Sequence, residues 1–443
     1  MKIRRTYLPN KILLLFLLIS FFTGVVSLVS VMLNIALLKL WKEAFMALML
    51  VVALLYSGGR LSKKSIIPTV VLFAILVFAL FTIASNFNSK NFIIFYQLKF
   101  DVLPIAFLIA VLVILSKQSL EDLESLCKSI AKMMLFFGGM NAIAIILQQL
   151  FPDSFMGLLG LKAGEWGNDS GVRLNSTEGN IRAIGFQQTF TMSGVLMFFC
   201  FVVSVEFKSL FSGKRWPLLF FSPLFLVAII CTTYKTAILA VMVYIATKII
   251  EFFFKRTSNI IVFFMGLTIF SIFCYSTHSF TVYEMVRQYN ENSAYNSIYL
   301  RVVQHLKILG DLDSTAKILF GAGLGLNGTF GLDKSEFGIQ AIPTDSAYIY
   351  MVSNYGFVGF LTYLAFIVYL QFKLYKIKKF DVFGARYFIF FTLTIELFYN
   401  LGLNNFPNNI LLILFVAIPF VLHRKSLESR QDLPPPLPGN RAY

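Results

Sequence analysis

Long apolar runs separated by short polar segments form the main pattern along this chain. Each run comes close to the roughly 20 residues that an α-helix needs to cross a bilayer, so the pattern predicts about twelve transmembrane helices. The sequence therefore predicts an all-α polytopic integral membrane protein with one membrane domain over residues 1–423. The predicted helices cover residues 12–32, 40–57, 66–86, 102–116, 130–150, 189–207, 217–232, 235–250, 258–276, 346–370, 384–402 and 409–422.

Two polar intervals are much longer than the other connections between the predicted helices. They cover residues 151–188 and 277–345, and the second lies between predicted helices 9 and 10. Inside it, an amphipathic helical piece is predicted by the spacing of four residues along one face, Ile298, Val302, His305 and Leu306. Because binding and catalytic residues often lie on long loops, we expect functional residues in these two intervals.

The C-terminal segment differs from the rest of the chain. Residues 424–443 include the run PPPLP and show no apolar periodicity. This composition predicts a disordered tail, with a PxxP ligand for a partner protein as the alternative.

Composition and charge exclude a water-soluble globular protein. The chain is 58% hydrophobic and 14% charged, which is more apolar surface than a soluble core can bury. Its formal net charge is +16, but most of the 38 Lys and Arg residues fall in segments that share one side of the predicted membrane. This positive-inside bias places both termini in the cytoplasm and the two long loops outside. The basicity therefore reports topology, and no nucleic-acid partner is expected.

Basic residues on the predicted outer side are candidates for binding an anion. Arg182, Lys235 and Arg301 stand beside apolar runs, and Arg173 lies in the 151–188 loop. Lys235 must lie at the outer mouth of the bundle, because almost no loop separates its two flanking apolar runs. Its ammonium group either snorkels to the interface or belongs to a site. If these cations converge, they would bind phosphate, to which Arg donates two parallel hydrogen bonds and Lys adds a point charge.

Asp345 immediately precedes a predicted helix. Its carboxylate could cap the helix N-terminus, act as a general base, or do both. The pair Asp311 and Asp313 has a D-x-D form, but so short a match predicts no metal site. The three histidines lie on different segments, and no nucleotide-binding motif is present, so we expect neither a metal nor a cofactor.

Several short motifs together resemble the bacterial O-antigen polymerase and O-antigen ligase superfamily. They are R-x-x-G-F at 182–186, T-Y-K-T at 233–236, Y-L-R at 299–301 followed by FGAGLG, and TDSAYIYMVSNYGFVGF opening the next helix. The resemblance extends over most of the chain in its layout of helices and loops.

The resemblance implies a GT-C-like, metal-independent glycosyltransferase in the bacterial inner membrane, with its active site on the periplasmic face. Its donor would be an oligosaccharide linked to undecaprenyl pyrophosphate. The basic residues of the family map onto Arg182, Lys235 and Arg301, where they would bind the pyrophosphate. Members of the ligase branch carry a His where this chain has Asp345, which favours a polymerase. A chain-length regulator is a possible partner.

Two other functions stay open at this point. An O-antigen ligase, which transfers finished glycans to the lipid A core, would have the same layout. A transporter or flippase of lipid-linked sugars belongs to a different class, and usually shows internal repeats and interrupted helices near the membrane midplane. The polarity of this chain concentrates instead in two outer loops, so the enzyme is the first hypothesis.

Overall fold

A computed structural model of the chain describes residues 7–35, 38, 40–57, 91–158, 176–177, 180–207, 216–253, 305–323, 346–394 and 406–431. Within these ranges the chain is helical, apart from one antiparallel pair of two-residue strands. The elements are α1 Tyr7–Ser20, α2 Thr23–Met32, α3 Trp41–Ser57, α4 Asn91–Ser116, α5 Leu120–Leu150, α6 Pro152–Leu158, β1 Ser176–Thr177, β2 Asn180–Ile181, α7 Phe190–Glu206, α8 Trp216–Cys231, α9 Lys235–Phe253, α10 Thr315–Phe320, α11 Ala347–Lys376, a 3₁₀ turn Lys378–Phe380, α12 Ala385–Thr394 and α13 Asn408–Gln431.

Among the described residues, four helices are long and apolar enough to cross a membrane: α5, α9, α11 and α13. The pair α1 and α2 makes a fifth span if it is counted as one. Apolar side chains such as Leu55, Ile230 and Met242 are more than half exposed, as expected for helices that face lipid. These features are those of a helical, membrane-embedded protein. Predicted helices 66–86 and 258–276 lie outside the described residues.

The first predicted helix, 12–32, is broken in the structure. Helices α1 and α2 meet at an angle of 74° across residues 21 and 22. The apolar pattern does not mark this break. The break depends on hydrogen bonds between its backbone groups and a distant segment of the chain. The sequence predicted one helix over these residues, whereas the structure has two helices that meet at a bend.

Other helices extend beyond the predicted apolar runs. Helix α5 begins ten residues before the predicted start, where the Ser119 side chain caps it by accepting a bond from the Asp122 N–H at 3.2 Å. Helix α13 continues to Gln431, so the first eight residues of the predicted disordered tail are helical. Apolar runs mark the buried length of a helix, and these polar extensions continue past it.

Helix α11 contains a second break, at Gly356, where φ is +66°. The part that follows, residues 357–376, is by itself about 30 Å long, enough to cross the hydrocarbon core. The part before it, 347–355, is a separate helical piece with mostly buried side chains.

Helix α7 lies at the centre of the bundle, with nearly its whole surface buried. Aromatic rings pack around it, including Phe199 and Phe388 with centroids 4.2 Å apart and Phe388 stacked on Phe415 at 5.6 Å. Helix α7 reaches from one end of the bundle to the other, and polar groups lie beside each of its ends.

Candidate functional site

The structure describes two of the five predicted site residues, Arg182 and Lys235. Arg173, Arg301 and Asp345 lie outside the described residues. Arg182 follows β2, and Lys235 is the first residue of α9. Residues 180–190, 232–235 and 406–409 form one end of the bundle, which we call the Arg182 end, and the predicted orientation places it outside.

Two aromatic rings connect the segments of Arg182 and Lys235. The Arg182 guanidinium lies 4.6 Å from the centroid of the Phe190 ring, at the start of α7. The Phe190 ring packs edge-on against that of Tyr234, with centroids 5.7 Å apart. Lys235 follows Tyr234 directly, so the structure places both predicted cations at the same end of the bundle.

Lys235 lies at the tightest turn between two apolar helices. Helix α8 ends at Cys231 and α9 begins at Lys235, so three residues make the reversal, with Thr233 at a φ of +51°. The predicted absence of a real loop is confirmed. The Lys235 side chain is exposed, and it makes no ion pair or hydrogen bond with the residues that the structure describes.

The side chain of Gln148 in α5 holds the segment that carries Arg182 in place. The Gln148 Oε1 atom accepts hydrogen bonds from the N–H groups of Ile184 at 3.0 Å and Gly185 at 2.8 Å. Its Nε2 atom donates to the Gly185 carbonyl at 3.0 Å. The Gln148 side chain is buried, so one amide satisfies three backbone groups that water does not reach.

Asn141 lies two turns earlier on the same face of α5 and supports the next residue of the segment. Its Oδ1 atom accepts the Phe186 N–H at 2.7 Å. Gly185 has a φ of +57°, and a Cβ atom there would lie 2.2 Å from that same Oδ1. This explains physically why a glycine stands in the R-x-x-G-F pattern: any side chain would be strained and would push the segment off α5.

The break between α1 and α2 receives the end of this segment. The Gln187 Nε2 atom donates to the Phe21 carbonyl at 2.7 Å, and Thr23 Oγ1 donates to Gln187 Oε1 at 2.8 Å. The Gly24 N–H donates to the Phe186 carbonyl at 2.8 Å. Gln187 is completely buried. The broken span and the Arg182 segment therefore complete each other's hydrogen bonds.

A partly buried carboxylate lies in the first half of α4. The Asp101 side chain accepts hydrogen bonds from Tyr350 at 3.0 Å and from Tyr355. Both tyrosines belong to the helical piece 347–355. Because tyrosine hydroxyls already occupy the carboxylate, Asp101 is better suited to hold this piece in place than to accept a proton.

The Asp101 group lies towards the same end of the bundle as Arg182. Pro104, one turn after Asp101, lines a cavity together with Asn409. The neighbouring Asn408 donates to the Met192 carbonyl at 3.4 Å, at the start of α7. The piece 347–355 is therefore anchored towards the Arg182 end of the bundle.

The N-cap of α11 is Ser346, whose Oγ atom accepts the Ile349 N–H at 3.4 Å. The N-cap function that the sequence suggested for Asp345 is thus taken by its neighbour. The possible function of Asp345 as a general base stays a prediction.

The described part of the predicted 277–345 loop, residues 305–323, is partly helical and packs on α11. Residues 305–310 are helical, as predicted for the part of the amphipathic piece that the structure describes. Of its predicted face, His305 is buried but Leu306 is exposed. The Ala322 N–H donates to the Ser353 carbonyl at 2.8 Å. In the D-x-D pair, Asp313 makes an ion pair with Lys317 at 2.8 Å, and this hydrogen bond lowers the pKa of the Asp313 carboxyl.

The opposite end of α7 carries a cluster of buried charges, which we call the Arg386 end. The Arg386 guanidinium pairs with Asp381 at 2.9 Å, with Glu251 at 3.2 Å and with Glu206 at 3.3 Å. Lys248 pairs with Glu206 at 2.5 Å. Complete burial raises the pKa of the Asp381 carboxyl, although Arg386 opposes that rise. The predicted orientation places this end in the cytoplasm.

Sequence analysis missed the residues that fix the Arg182 segment. Asn141 and Gln148 are amides inside an apolar run, and their spacing of seven residues places them on one helix face. That pattern was the available signal. Asp101 was missed because the predicted helix began at residue 102, and so excluded it.

The site has two cations at the mouth of an apolar bundle. Hydrogen bonds between neutral groups hold the segment that carries Arg182. Such an arrangement can bind an anionic headgroup at the membrane surface and stabilise negative charge that develops on it. No group of three His, Cys, Asp or Glu within the described ranges could hold a metal ion. Comparison of the chain with models of known protein families, with curated proteins and with solved structures returns no match.

Proposed function

We propose that this protein polymerises lipid-linked oligosaccharide repeat units as a GT-C-like glycosyltransferase of the bacterial inner membrane. It transfers the growing glycan from undecaprenyl pyrophosphate to a new repeat unit that is itself linked to undecaprenyl pyrophosphate. The product is an O-antigen, capsule or exopolysaccharide chain. The reaction takes place on the periplasmic face and needs neither metal nor cofactor.

In the proposed reaction, a hydroxyl oxygen of the acceptor sugar attacks the anomeric carbon of the donor glycan. The bond from that carbon to the phosphate oxygen breaks, and undecaprenyl pyrophosphate leaves with the electron pair. Arg182 and Lys235 bind the departing pyrophosphate and stabilise its charge, with Arg301 and Arg173 completing the site. Asp345 takes the proton of the attacking hydroxyl.

The observation that carries this proposal is the connection of Arg182 to Lys235 through Phe190 and Tyr234. Two cations separated by 53 positions in the sequence meet at one end of a bundle that is otherwise apolar. Holding Arg182 there takes several buried hydrogen bonds from Gln148, which supports a function beyond snorkelling. A cation held in place in this way stabilises a leaving group without reorganisation during the reaction.

The test is polymerisation by the purified protein. The full chain is reconstituted in liposomes with undecaprenyl-pyrophosphate-linked oligosaccharides extracted from cells that lack the gene, and product length is followed by gel electrophoresis and mass spectrometry. We expect products longer than one repeat unit. Transfer to the lipid A core without elongation would identify a ligase, and an absence of both reactions would refute the enzyme.

One observation favours a second candidate, a transporter of lipid-linked sugars. Transporters often use interrupted helices, and the structure shows interruptions at the α1–α2 break and at Gly356. The backbone at the first break bonds to Gln187 and Phe186, whereas the unwound backbone of a transporter faces its substrate cavity. We therefore place this candidate second. Movement of lipid-linked sugar across the same liposomes, measured with a membrane-impermeant lectin and without chain growth, would favour it.

A further inference from the structure

A large groove lies between α4, α11, α12 and α13, and it runs from Asn409 at the Arg182 end to Lys376 at the opposite end of the bundle. Its volume is about 840 Å³, in the upper part of the range for cavities that hold a small-molecule ligand. From Tyr363 to Lys376 along α11 it extends for about 20 Å. That length exceeds the roughly 15 Å of hydrocarbon in one leaflet, so an acyl chain fits along it.

The groove is apolar along its length and basic at one end only. Its walls include Leu108, Leu412 and Ile413, whereas Lys373 and Lys376 lie at the end near the cytoplasm in the predicted orientation. None of the described residues that line it is acidic. This distribution matches a molecule with a long apolar part and an anionic head.

The two lysines keep their charge available for a ligand. Lys373 Nζ lies 5.5 Å from the centroid of the Tyr369 ring, and Lys376 Nζ lies 4.2 Å from that of Phe372. Neither lysine forms an ion pair with a residue in the described ranges. Arg424, which also lines this end, differs from them because it pairs with Glu428.

A second cavity, of about 700 Å³, meets the groove at Lys376 and His423. Its volume gives room for a polar headgroup beyond the phosphate. Lys128 and Lys379 line it together with Glu124, so the lysines outnumber the carboxylate. Lysines at the end of a helix often only snorkel to the interface. Snorkelling alone accounts neither for a groove that ends on them nor for the second cavity beside it.

We propose that this groove binds one anionic phospholipid of the inner leaflet. The acyl chains of this phospholipid lie along α4, α11 and α13, and its phosphate contacts the ammonium groups of Lys373 and Lys376. The two lysines lie at the end of the bundle opposite to Arg182, and lipid binding there does not depend on glycosyl transfer. Anionic lipids of the cytoplasmic leaflet are attracted to each such lysine, which makes them the occupant that the charges favour.

The test is native mass spectrometry of the purified full chain, titrated with phosphatidylglycerol or phosphatidylcholine carrying the same acyl chains. We expect one phosphatidylglycerol to bind about thirtyfold more tightly than phosphatidylcholine, as two lysine contacts predict. The double variant K373Q/K376Q should lose this preference. Lys378→Gln is the matched control, because Lys378 is a neighbouring exposed lysine that lines neither cavity.

A second variant tests the groove separately from its charge. Ile413→Trp places a large side chain against the apolar wall, and it should weaken the binding of both lipids while the melting temperature stays near that of the wild type. Equal binding of the two lipids, a retained preference in the double variant, or unchanged binding in Ile413→Trp would each overturn the proposal. Tighter binding of undecaprenyl phosphate at the same site would also overturn it, in favour of a polyprenyl lipid.

Discussion

The two ends of α7 bury polar groups in different ways. At the Arg182 end, neutral amides and hydroxyls satisfy backbone groups, as Gln148 does for Ile184 and Gly185. At the Arg386 end, charges pair directly with charges, and the Arg386 side chain is only 8% exposed. Neutral bonds fix a segment without adding negative charge to it, whereas a closed ion cluster leaves its cation unable to receive a ligand. We infer that the first end binds an anion and the second holds the helices together.

The energetics of the two ends differ accordingly. An ion cluster in a low-dielectric interior is costly to desolvate, and removing one member leaves the others unpaired. The Arg386 cluster joins α7, α9 and α12 through Glu206, Glu251 and Asp381. Removing an exposed cation such as Lys235 leaves no buried group without a partner. Substitutions at the Arg386 end should therefore affect folding, and substitutions of the outer cations should affect activity.

The largest effect is expected for Arg386→Met. It leaves the buried Asp381 and the partly buried Glu206 and Glu251 without their guanidinium and should cost about 3–5 kcal/mol. We expect little monodisperse protein on size-exclusion chromatography and a much lower melting temperature. Arg424→Met is the matched control, because its exposed pair with Glu428 contributes less than about 1 kcal/mol. A wild-type melting temperature for Arg386→Met would remove the structural function assigned to this cluster.

The next effect is catalytic. Arg182→Ala should lower the polymerisation rate about a hundredfold, because one fixed donor to the leaving group is lost. Arg182→Lys keeps the charge but loses the bidentate contact and should lose about tenfold. The rate is measured in the liposome assay, and both variants should melt near the wild-type temperature. Lys307→Gln, an exposed cation of the 305–310 helix, should leave the rate unchanged. An active Arg182→Ala enzyme would contradict the proposed site.

These contrasts also show what the sequence could predict. Within the described ranges the apolar runs located the helices well, and charged positions such as Lys235 pointed to the mouth of the bundle, because exclusion of charge from lipid acts on each segment locally. The hydrogen bonds from Gln148 to residues 184 and 185 join parts of the chain that are 36 and 37 positions apart. No local periodicity encodes such a contact.

The α1–α2 break was unpredictable for the same reason. Residues 12–32 read as one apolar helix, and the break depends on Gln187, which lies more than 160 positions away and donates to the Phe21 carbonyl. The Arg386 cluster is similar: Glu206 ends one helix, Glu251 lies near the end of another, and only the packing of α7 on α9 and α12 brings them to one guanidinium. Long-range pairing of polar groups is decided by tertiary structure.

A smaller effect is expected from a comparison of two buried amides, one that makes hydrogen bonds and one that makes none with the described residues. Gln148→Leu removes the partner of three buried backbone groups and should cost about 2 kcal/mol. It should also lower the polymerisation rate, because Arg182 loses its fixed position. Gln371→Leu is the control, because the buried Gln371 side chain makes no hydrogen bond with any described residue, and its loss should leave the melting temperature equal or higher. Equal melting temperatures for both variants would show that the amide of Gln148 does not hold the segment.

The smallest effect tests whether the two outer cations act on one group. Lys235→Ala should lower the polymerisation rate about tenfold, equal to about 1.4 kcal/mol, with no change in melting temperature because the side chain is exposed. If Lys235 and Arg182 bind the same pyrophosphate, the double variant R182A/K235A should depart from the product of the single losses, since neighbouring contacts to one group are coupled. A rate unchanged by Lys235→Ala would mean that this lysine only snorkels to the interface. If the loss in the double variant equals the product of the single losses, the cations act on separate groups. The Arg182 end would then hold two anion contacts instead of one shared site.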